Sequence, residues 1–164
     1  MNLRLLIFVA VGVVVIGAAI FGVLSSTKGS HLELKGQILK IRTGALDDEH
    51  SVAVLDMRLE NPTDVPFVVR QVEVTLEKQE GGTADGAVVS KADLDRLFKY
   101  NRFLGSRYND AMSIRDKIPP HGAIDRMVAV QFEVPNAQLE NGKAIRLSIQ
   151  DMDGAQFETS KKIK

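Results

Sequence analysis

The sequence predicts an all-β fold, an antiparallel β-sandwich with one short helical insert, preceded by a single N-terminal transmembrane helix. One observation behind this prediction is an uninterrupted apolar stretch near the amino terminus, and the other is a series of segments in which apolar and polar residues alternate. Alternation with a period of two is typical of strands that bury one face. We divide the chain into the transmembrane helix at 1–25, a linker at 26–30 and the sandwich domain at 31–164.

The apolar stretch reads LLIFVAVGVVVIGAAIFGVL from Leu5 to Leu24 and has no polar side chain. As a helix rising about 1.5 Å per residue it would span roughly 30 Å, which is the thickness of a bilayer's hydrocarbon core. Arg4 flanks it, so the positive-inside rule places the N-terminus in the cytoplasm. We therefore expect a single-pass inner-membrane protein whose domain is periplasmic or extracellular. A cleaved signal peptide is the alternative, for which Val23-Leu24-Ser25 is a poor cleavage site.

The composition of the domain excludes several classes of function. Of the 21 basic residues, Arg4 and Lys28 precede His31, which leaves 19 basic against 21 acidic residues in the domain. A near-neutral domain of this kind is not a general nucleic-acid binder. Cysteine is absent, so the sequence offers no disulfide, no thiolate nucleophile and no cysteine for lipid attachment.

Six segments of the domain show the alternating strand pattern. In the first segment Leu39 and Ile41 are apolar as well, so the apolar parity changes after Ile38 and predicts a β-bulge there. Six or so half-buried strands separated by turns predict an antiparallel sandwich. The apolar residues that define the segments are Leu32, Leu34, Gly36 and Ile38; Ala53, Leu55, Met57 and Leu59; Val72, Val74 and Leu76; Val128, Val130, Phe132 and Val134; Ile145, Leu147 and Ile149; and a weak run around Phe157.

A polar turn separates the second strand from the third. It reads Asn61-Pro62-Thr63-Asp64 and is followed by Pro66. Proline cannot donate a hydrogen bond to a strand ladder, and Asn and Asp side chains bond to nearby backbone N–H groups in turns. We therefore interpret the segment as the corner between two strands and not as a catalytic site.

This corner carries a resemblance to known domains. The segment Leu59-Glu60-Asn61-Pro62, followed by the Val-rich strand VPFVVRQVEVTLE, resembles the small immunoglobulin-like domains of the water-stress and late-embryogenesis type, which have an Asn-Pro turn at this place. The later segments VQFEVP and DMDG are similar to telokin-like extracellular domains of bacterial membrane proteins and lipoproteins. The resemblance implies an immunoglobulin-like sandwich, often behind a single membrane segment, with no catalytic residues to transfer. A charged insert at about 81–122 departs from the simple pattern.

The insert is predicted to contain a flexible loop and then a helix. The loop is the Gly-rich segment EGGTADGA at 80–87. Ser90, with Asp93 three residues later, is a helix-start pattern, and Gly105 is placed to end the helix. Helical spacing puts four apolar residues on the side that would dock on the sandwich, and these are Leu94, Leu97, Phe98 and Leu104.

Cations and aromatic rings are interleaved along the same helix. On the face opposite the leucines we expect Arg96, Lys99 and Phe103 to be exposed to solvent, with Arg107 following. These four residues are the candidate partner-binding site, for a protein partner or for anionic lipid headgroups. In the alternative interpretation, Lys99 and Arg102 only suit the helix C-terminus, and the rings pack over the open end of the sandwich.

No enzyme motif is present in the sequence. His31, His50 and His121 lie in unrelated segments without metal-ligand spacing. The acidic segment at 47–50 is interpreted as a solvated turn, and the one at 151–154 as a hairpin turn that lacks the later ligands of a calcium loop. The serine-hydrolase, phosphate-loop and dinucleotide motifs are missing. We therefore expect no catalytic residue, no metal and no cofactor.

Three functions from different classes remain open at this stage. The leading hypothesis is a binding or scaffolding domain held at the outer face of the cytoplasmic membrane, as a subunit of an envelope complex. The second is a structural or stress-protective domain without a stable partner. The third is a hydrolase whose site is too dispersed to recognise in one sequence.

Overall fold

Eight strands, two α-helices and one 3-10 turn follow one another between residues 33 and 163, the part of the chain that the computed structural model describes together with Ile16. The helices are α1, Lys91–Tyr100, and α2, Asn136–Glu140, and the 3-10 turn is Arg102–Leu104. The strands are β1 Lys35–Ala45, β2 Ser51–Glu60, β3 Phe67–Glu77, β4 Thr83–Val88, β5 Lys117–Ile118, β6 Ala123–Phe132, β7 Ala144–Asp151 and β8 Gln156–Lys162.

The predicted transmembrane helix at 1–25 and the linker at 26–30 lie outside the described residues, apart from Ile16. Within the described part of the chain, no helix is both long enough and apolar enough to cross a membrane. All of the elements named above belong to one compact unit, Leu32–Lys164.

The strands form an antiparallel β-sandwich that is nearly closed into a barrel. Strands β1, β2 and β6 make one half, and β3, β7 and β8 make the other. Strand β4 joins the halves, since it pairs with β3 through its first residues and with β6 through Ala87 and Val88. On the opposite side β8 lies against β1, where Lys161 Nζ donates to the carbonyl oxygens of Ile38 and Leu39 at 3.0 and 2.7 Å.

The alternating residues identified in the sequence form the main core between the two halves. The inward face of β2 places Leu55 and Met57 against Phe132 of β6 and Leu147 of β7, all of them buried. The predicted bulge is confirmed, because the register of β1 against β2 shifts between Ile38 and Lys40. This core is the main source of stability, since burying apolar area contributes about 25 cal/mol per Å².

The corner between β2 and β3 is built around a buried asparagine. Asn61 Nδ2 donates to the carbonyl oxygens of Val65 and Ile118, and Asn61 Oδ1 accepts the backbone N–H of Thr63 at 3.1 Å. The side chain therefore replaces the strand ladder that stops at Pro62. The interpretation of this segment as a structural corner is confirmed.

Strand β4 shows that the prediction of a flexible loop over residues 80–87 is wrong from Thr83 onward. Gly81 and Gly82, with φ of 96° and 80°, make the tight turn after β3. Gly86 has another role, because a Cβ atom there would come within 2.2 Å of the Val130 side chain. A glycine inside a strand often marks close packing of this kind and not flexibility.

Candidate functional site

The insert packs across the outer face of the β1-β2-β6 half and not over the open end of the sandwich. This contact buries a second hydrophobic core beneath α1 and the 3-10 turn. Leu94 and Leu104 are 1% and 0% exposed, and Leu97 and Phe98 pack at the margin of the core. The buried members of the second core are Val52, Val54, Leu94, Leu104, Ala111, Met127 and Ala129.

Local sequence fixes where α1 begins and where the 3-10 turn ends. Ser90 caps the helix, because its Oγ accepts the backbone N–H of Asp93 at 3.3 Å and donates to the Asp93 carboxylate at 2.6 Å. The helix ends earlier than predicted, since the backbone of Asn101 leaves the helical region with φ −108° and ψ 87°. Gly105, with φ 70°, ends the 3-10 turn that follows. The prediction of one helix from 91 to 104 is therefore corrected to a helix and a turn.

A buried ion pair fastens the insert to the sheet. Arg42 of β1 and Asp56 of β2 are both buried, and Arg42 Nη2 lies 2.9 Å from Asp56 Oδ2. Arg42 Nη1 donates to the carbonyl oxygens of Leu104 and Ser106 in the insert. Asn109 Nδ2 donates to the other Asp56 oxygen at 3.0 Å. Charge-assisted bonds to two backbone carbonyls hold the end of the 3-10 turn at one position.

Two aromatic rings of the insert contact the same arginine. The guanidinium carbon of Arg42 lies 5.6 Å from the ring centre of Phe98 and 5.0 Å from that of Tyr108. Lys40 Nζ also lies 5.7 Å from the ring centre of Tyr108. Such distances are within the range of cation–π attraction. These two aromatic residues of the insert therefore help to dock it.

The exposed side of the insert carries a different set of residues, which we call the aromatic–basic ridge. Phe103 is 93% exposed and Tyr100 is 80% exposed. Arg96 and Lys99 lie on α1 at roughly 160° and 140° from Leu94, given about 100° per residue. The ridge consists of Arg96, Lys99, Tyr100, Arg102 and Phe103, all of them exposed.

The four residues predicted to bind a partner divide into two groups. Arg96, Lys99 and Phe103 belong to the ridge, although Phe103 lies on the 3-10 turn and not on the helix itself. Arg107 lies beside acidic groups, with Nη1 3.5 Å from Asp95 Oδ1 and Nη2 3.6 Å from Asp110 Oδ1. Its charge is therefore compensated within the domain.

The ridge cations have no such compensation in the described part of the chain. None of the ion pairs between residues 33 and 163 includes Arg96, Lys99 or Arg102. The sequence from 96 to 109 contains no Asp or Glu. The ridge is therefore a local region of positive charge on a domain that is close to neutral.

The acidic turns of the domain act as structural caps. Asp151 is buried, and its carboxylate accepts the backbone N–H groups of Val68 and Asp153. His121 Nε2 lies 2.8 Å from Asp64 Oδ1, and this contact joins two exposed turns. Among the described residues no three His, Asp or Glu side chains are grouped in a way that could hold a metal ion.

The turn between β1 and β2 contains a contact between Asp47 and His50 that shifts the pKa of both groups. Asp47 Oδ1 accepts the backbone N–H groups of Glu49 and His50 and lies 2.8 Å from His50 Nδ1. The hydrogen bond to Asp47 raises the pKa of His50 above its ordinary value of 6.5. The Glu49 backbone bond, followed by the bond to His50, lowers the pKa of Asp47 below 3.8.

We expect the His50 ring to titrate with a midpoint above 6.5 in an NMR pH series, and Asp47→Asn to return the midpoint towards 6.5. A raised His pKa stabilises the turn below 6.5 and ceases to do so as the pH rises through the folded-state pKa. The lowered pKa of Asp47 contributes above 3.8 and is lost as the pH falls. Identical midpoints in the two proteins would show that the Asp47 contact does not exist in solution.

No family model matches the sequence, and no curated protein sequence matches it. Among solved structures, a Bacillus subtilis protein provisionally described as a lipoprotein is 9% identical, has a TM-score of 0.49 and covers 81% of this chain. This chain spans only 37% of that protein's length.

Two further solved structures are similar over most of both chains. An uncharacterized β-sandwich protein of Clostridium difficile has 11% identity and a TM-score of 0.41, covering 79% of this chain and 86% of its own. A conserved hypothetical protein of Bacillus anthracis has 12% identity and a TM-score of 0.43, covering 80% and 88%. Likenesses this distant assign neither a family nor a function to the chain.

Sequence reasoning predicted the docking residues of the insert but missed the ion pair and the sheet side of the second core. One signal was available, because Val52 and Val54 are apolar on the face of β2 that was expected to be polar. A strand that is apolar on both faces at one end indicates burial on both sides. No comparable signal marks Arg42 and Asp56, which meet diagonally across two strands and are buried only because the insert covers them.

Proposed function

We propose that the protein is a membrane-anchored binding or scaffolding domain on the extracytoplasmic side of a membrane, without catalytic activity. The observation that carries this proposal is the aromatic–basic ridge. Its opposite side is fixed by a buried core and an ion pair, whereas Phe103 and its neighbouring cations face solvent. Aromatic and Arg residues on a rigid support are typical of binding hot spots.

We infer that the sandwich is of the immunoglobulin type. The order β1-β2-β6 corresponds to strands A, B and E of that fold, and β3-β7-β8 corresponds to strands C, F and G. Strand β4 lies between strands C and E in the chain and pairs with both. This order agrees with the resemblance to water-stress and telokin-like domains, which remains a proposal at the level of the family.

The proposal of an anchor rests on the twenty apolar residues from Leu5 to Leu24, which are long enough to span a bilayer. With Arg4 on the cytoplasmic flank, the domain after residue 30 lies outside the cytoplasm. The absence of cysteine means that a lipid-modified cysteine does not provide the attachment.

We expect the full-length protein to stay in the membrane pellet after an alkaline carbonate wash, because a spanning helix is held by burial in the hydrocarbon core and not by the ionic contacts that the wash disrupts. The measurement is the ratio of pelleted to soluble protein, with a peripheral membrane protein as the control. A soluble chain that begins near Ser26 would show that the segment is a cleaved signal peptide.

Purification tests the binding function itself. Full-length protein extracted from its native membranes in mild detergent should bring a partner protein in a fixed stoichiometric ratio. A domain that is purely structural or stress-protective would instead elute alone, which would contradict the proposal.

A further inference from the structure

The strongest unexplained surface of the domain is the aromatic–basic ridge. Its nearest acidic residues are engaged elsewhere, since Asp95 pairs with Arg107 and Asp93 accepts a hydrogen bond from the Ser90 hydroxyl. Three cations and two exposed rings therefore stand together within a segment of eight residues, 96–103, that contains no carboxylate. A ligand for this surface must supply negative charge and at least one apolar group.

The ridge is attached to the sheet at one end of strand β1. Asn101 Nδ2 donates to the carbonyl oxygen of Ala45 at 2.8 Å, and Arg42 donates to that of Leu104. Arg42 and Ala45 lie at the end of β1 that is remote from Lys35, at roughly 23 to 33 Å along the strand for a rise of about 3.3 Å per residue. The chain enters β1 at Lys35, so the ridge is attached at the other end of that strand.

The number of grouped cations distinguishes between two classes of ligand, a short acidic protein segment and an extended polyanion. A lipid surface or an anionic polymer contacts many cations at once, and its affinity depends on their number. Here only three uncompensated cations are grouped, fewer than the roughly four to eight that typically mark a surface for anionic lipids. A short acidic protein segment matches this number of cations.

The backbone that carries the ridge is held against the sheet before any partner binds. Leu94 and Leu104 are buried in the second core, and Arg42 fixes the carbonyl oxygens at the end of the 3-10 turn. Holding the backbone of the 3-10 turn in place before binding reduces the entropy that is lost when a partner docks. An exposed aromatic side chain on a fixed backbone, with cations close to it in the sequence, is the arrangement expected of an anchor point.

We infer that the aromatic–basic ridge docks an acidic segment of a partner protein, with carboxylates facing Arg96, Lys99 and Arg102 and an apolar side chain lying against Phe103. This inference rests on the proposed binding function and adds the chemical class of the partner. Arg107 takes no part in the contact, since Asp95 and Asp110 compensate it.

Site-specific photo-crosslinking of the full-length protein in its native cells tests this assignment. The photoreactive residue p-benzoylphenylalanine replaces Phe103 in one protein and Met152, an exposed apolar residue in the β7–β8 turn, in the control. We expect Phe103→p-benzoylphenylalanine to crosslink to one protein through a segment rich in Asp and Glu. The Met152 position should give no such product.

Charge reversal separates an acidic partner from a purely apolar contact. Lys99→Glu combined with Arg102→Glu should lower the crosslink yield by about tenfold or more, because like charges then face each other. Arg70→Glu reverses an exposed charge on β3 and should leave the yield unchanged.

Each other outcome overturns the inference in a recognisable way. Crosslinks to a protein segment without acidic residues, or a yield that does not respond to charge reversal, would refute the chemistry of the partner while the binding function still stands. Crosslinks to lipid alone would refute the assignment of a protein partner and would indicate that the ridge binds lipid headgroups. If no crosslink forms and the protein also purifies without a partner, the proposed binding function is refuted together with the inference.

Discussion

Asp56→Ala is expected to lower the free energy of unfolding of the domain by about 3 to 5 kcal/mol, as is typical when one member of a buried ion pair is removed. The substitution leaves the Arg42 guanidinium buried beneath the insert without a counter-charge, its remaining hydrogen-bond acceptors being the Leu104 and Ser106 carbonyl oxygens. Urea denaturation of a fragment that begins at His31 measures the loss. Hydrogen exchange of α1 should accelerate in the same variant, because the pair fastens the insert to the sheet.

A matched control is available in the same half of the sandwich, where β2 pairs with β6. Arg58 Nε lies 3.1 Å from Asp125 Oδ1, but both side chains are about half exposed. Asp125→Ala should therefore cost no more than about 1 kcal/mol, as surface pairs do. Replacing Arg42 by Met and Asp56 by Leu together should restore only part of the lost stability. The double change removes the buried charges and Arg42 Nε, which has no acceptor among the described residues, but it leaves the Leu104 and Ser106 carbonyl oxygens and the Asn109 amide without these partners. An equal loss for Asp56→Ala and Asp125→Ala would show that the buried pair has no special role.

Leu94→Ala is expected to lower the free energy of unfolding by about 2 to 5 kcal/mol, which is the range for large-to-small substitutions in a core. Leu94 is 1% exposed and lies in the second core with Leu104 and Met127. The sequence alone predicts the same loss for Leu97→Ala. Because Leu97 is only partly buried, its substitution should lower the free energy of unfolding by less than Leu94→Ala does.

Phe103→Ala is the counterpart of Leu94→Ala on the exposed side of the insert. Its ring is 93% exposed, so its removal should change the free energy of unfolding by no more than about 0.5 kcal/mol, as expected for a surface position. Thermal and urea denaturation of both variants, measured side by side, gives the comparison. If Phe103→Ala destabilises the domain as much as Leu94→Ala does, the ring belongs to a core and the ridge is not a free surface.

The main core could be predicted from the sequence because one-sided burial leaves a direct pattern. Strands such as β3 and β7 alternate apolar and polar residues, and the parity change near Ile38 marked the bulge. Strand β4 could not be predicted in the same way. Gly86 has no room for a Cβ atom, because the side chains of Val130 and Phe132 lie against it. In a sequence, a glycine required by close packing looks the same as a glycine in a flexible loop.

The candidate site could be predicted only in part. Capping by Ser90 and the spacing of the leucines indicated which face of α1 docks, and therefore which face is exposed. The break at Asn101 and the burial of Arg42 depend on contacts between segments distant in the chain, such as the bond from Asn101 to Ala45. Contacts of this kind follow from strand register, which one sequence does not reveal.

The central claim is that the ridge, and not the sandwich as a whole, binds a partner. It is tested most directly by the amount of partner that co-purifies with the full-length protein and with its Phe103→Ala and Met152→Ala variants. Loss of a hot-spot aromatic typically costs about 2 kcal/mol or more, which is roughly a thirtyfold loss of affinity. We predict that the partner is recovered with the unmodified protein and with Met152→Ala but is strongly depleted with Phe103→Ala. Equal recovery from all three proteins, or recovery from none, would contradict the account.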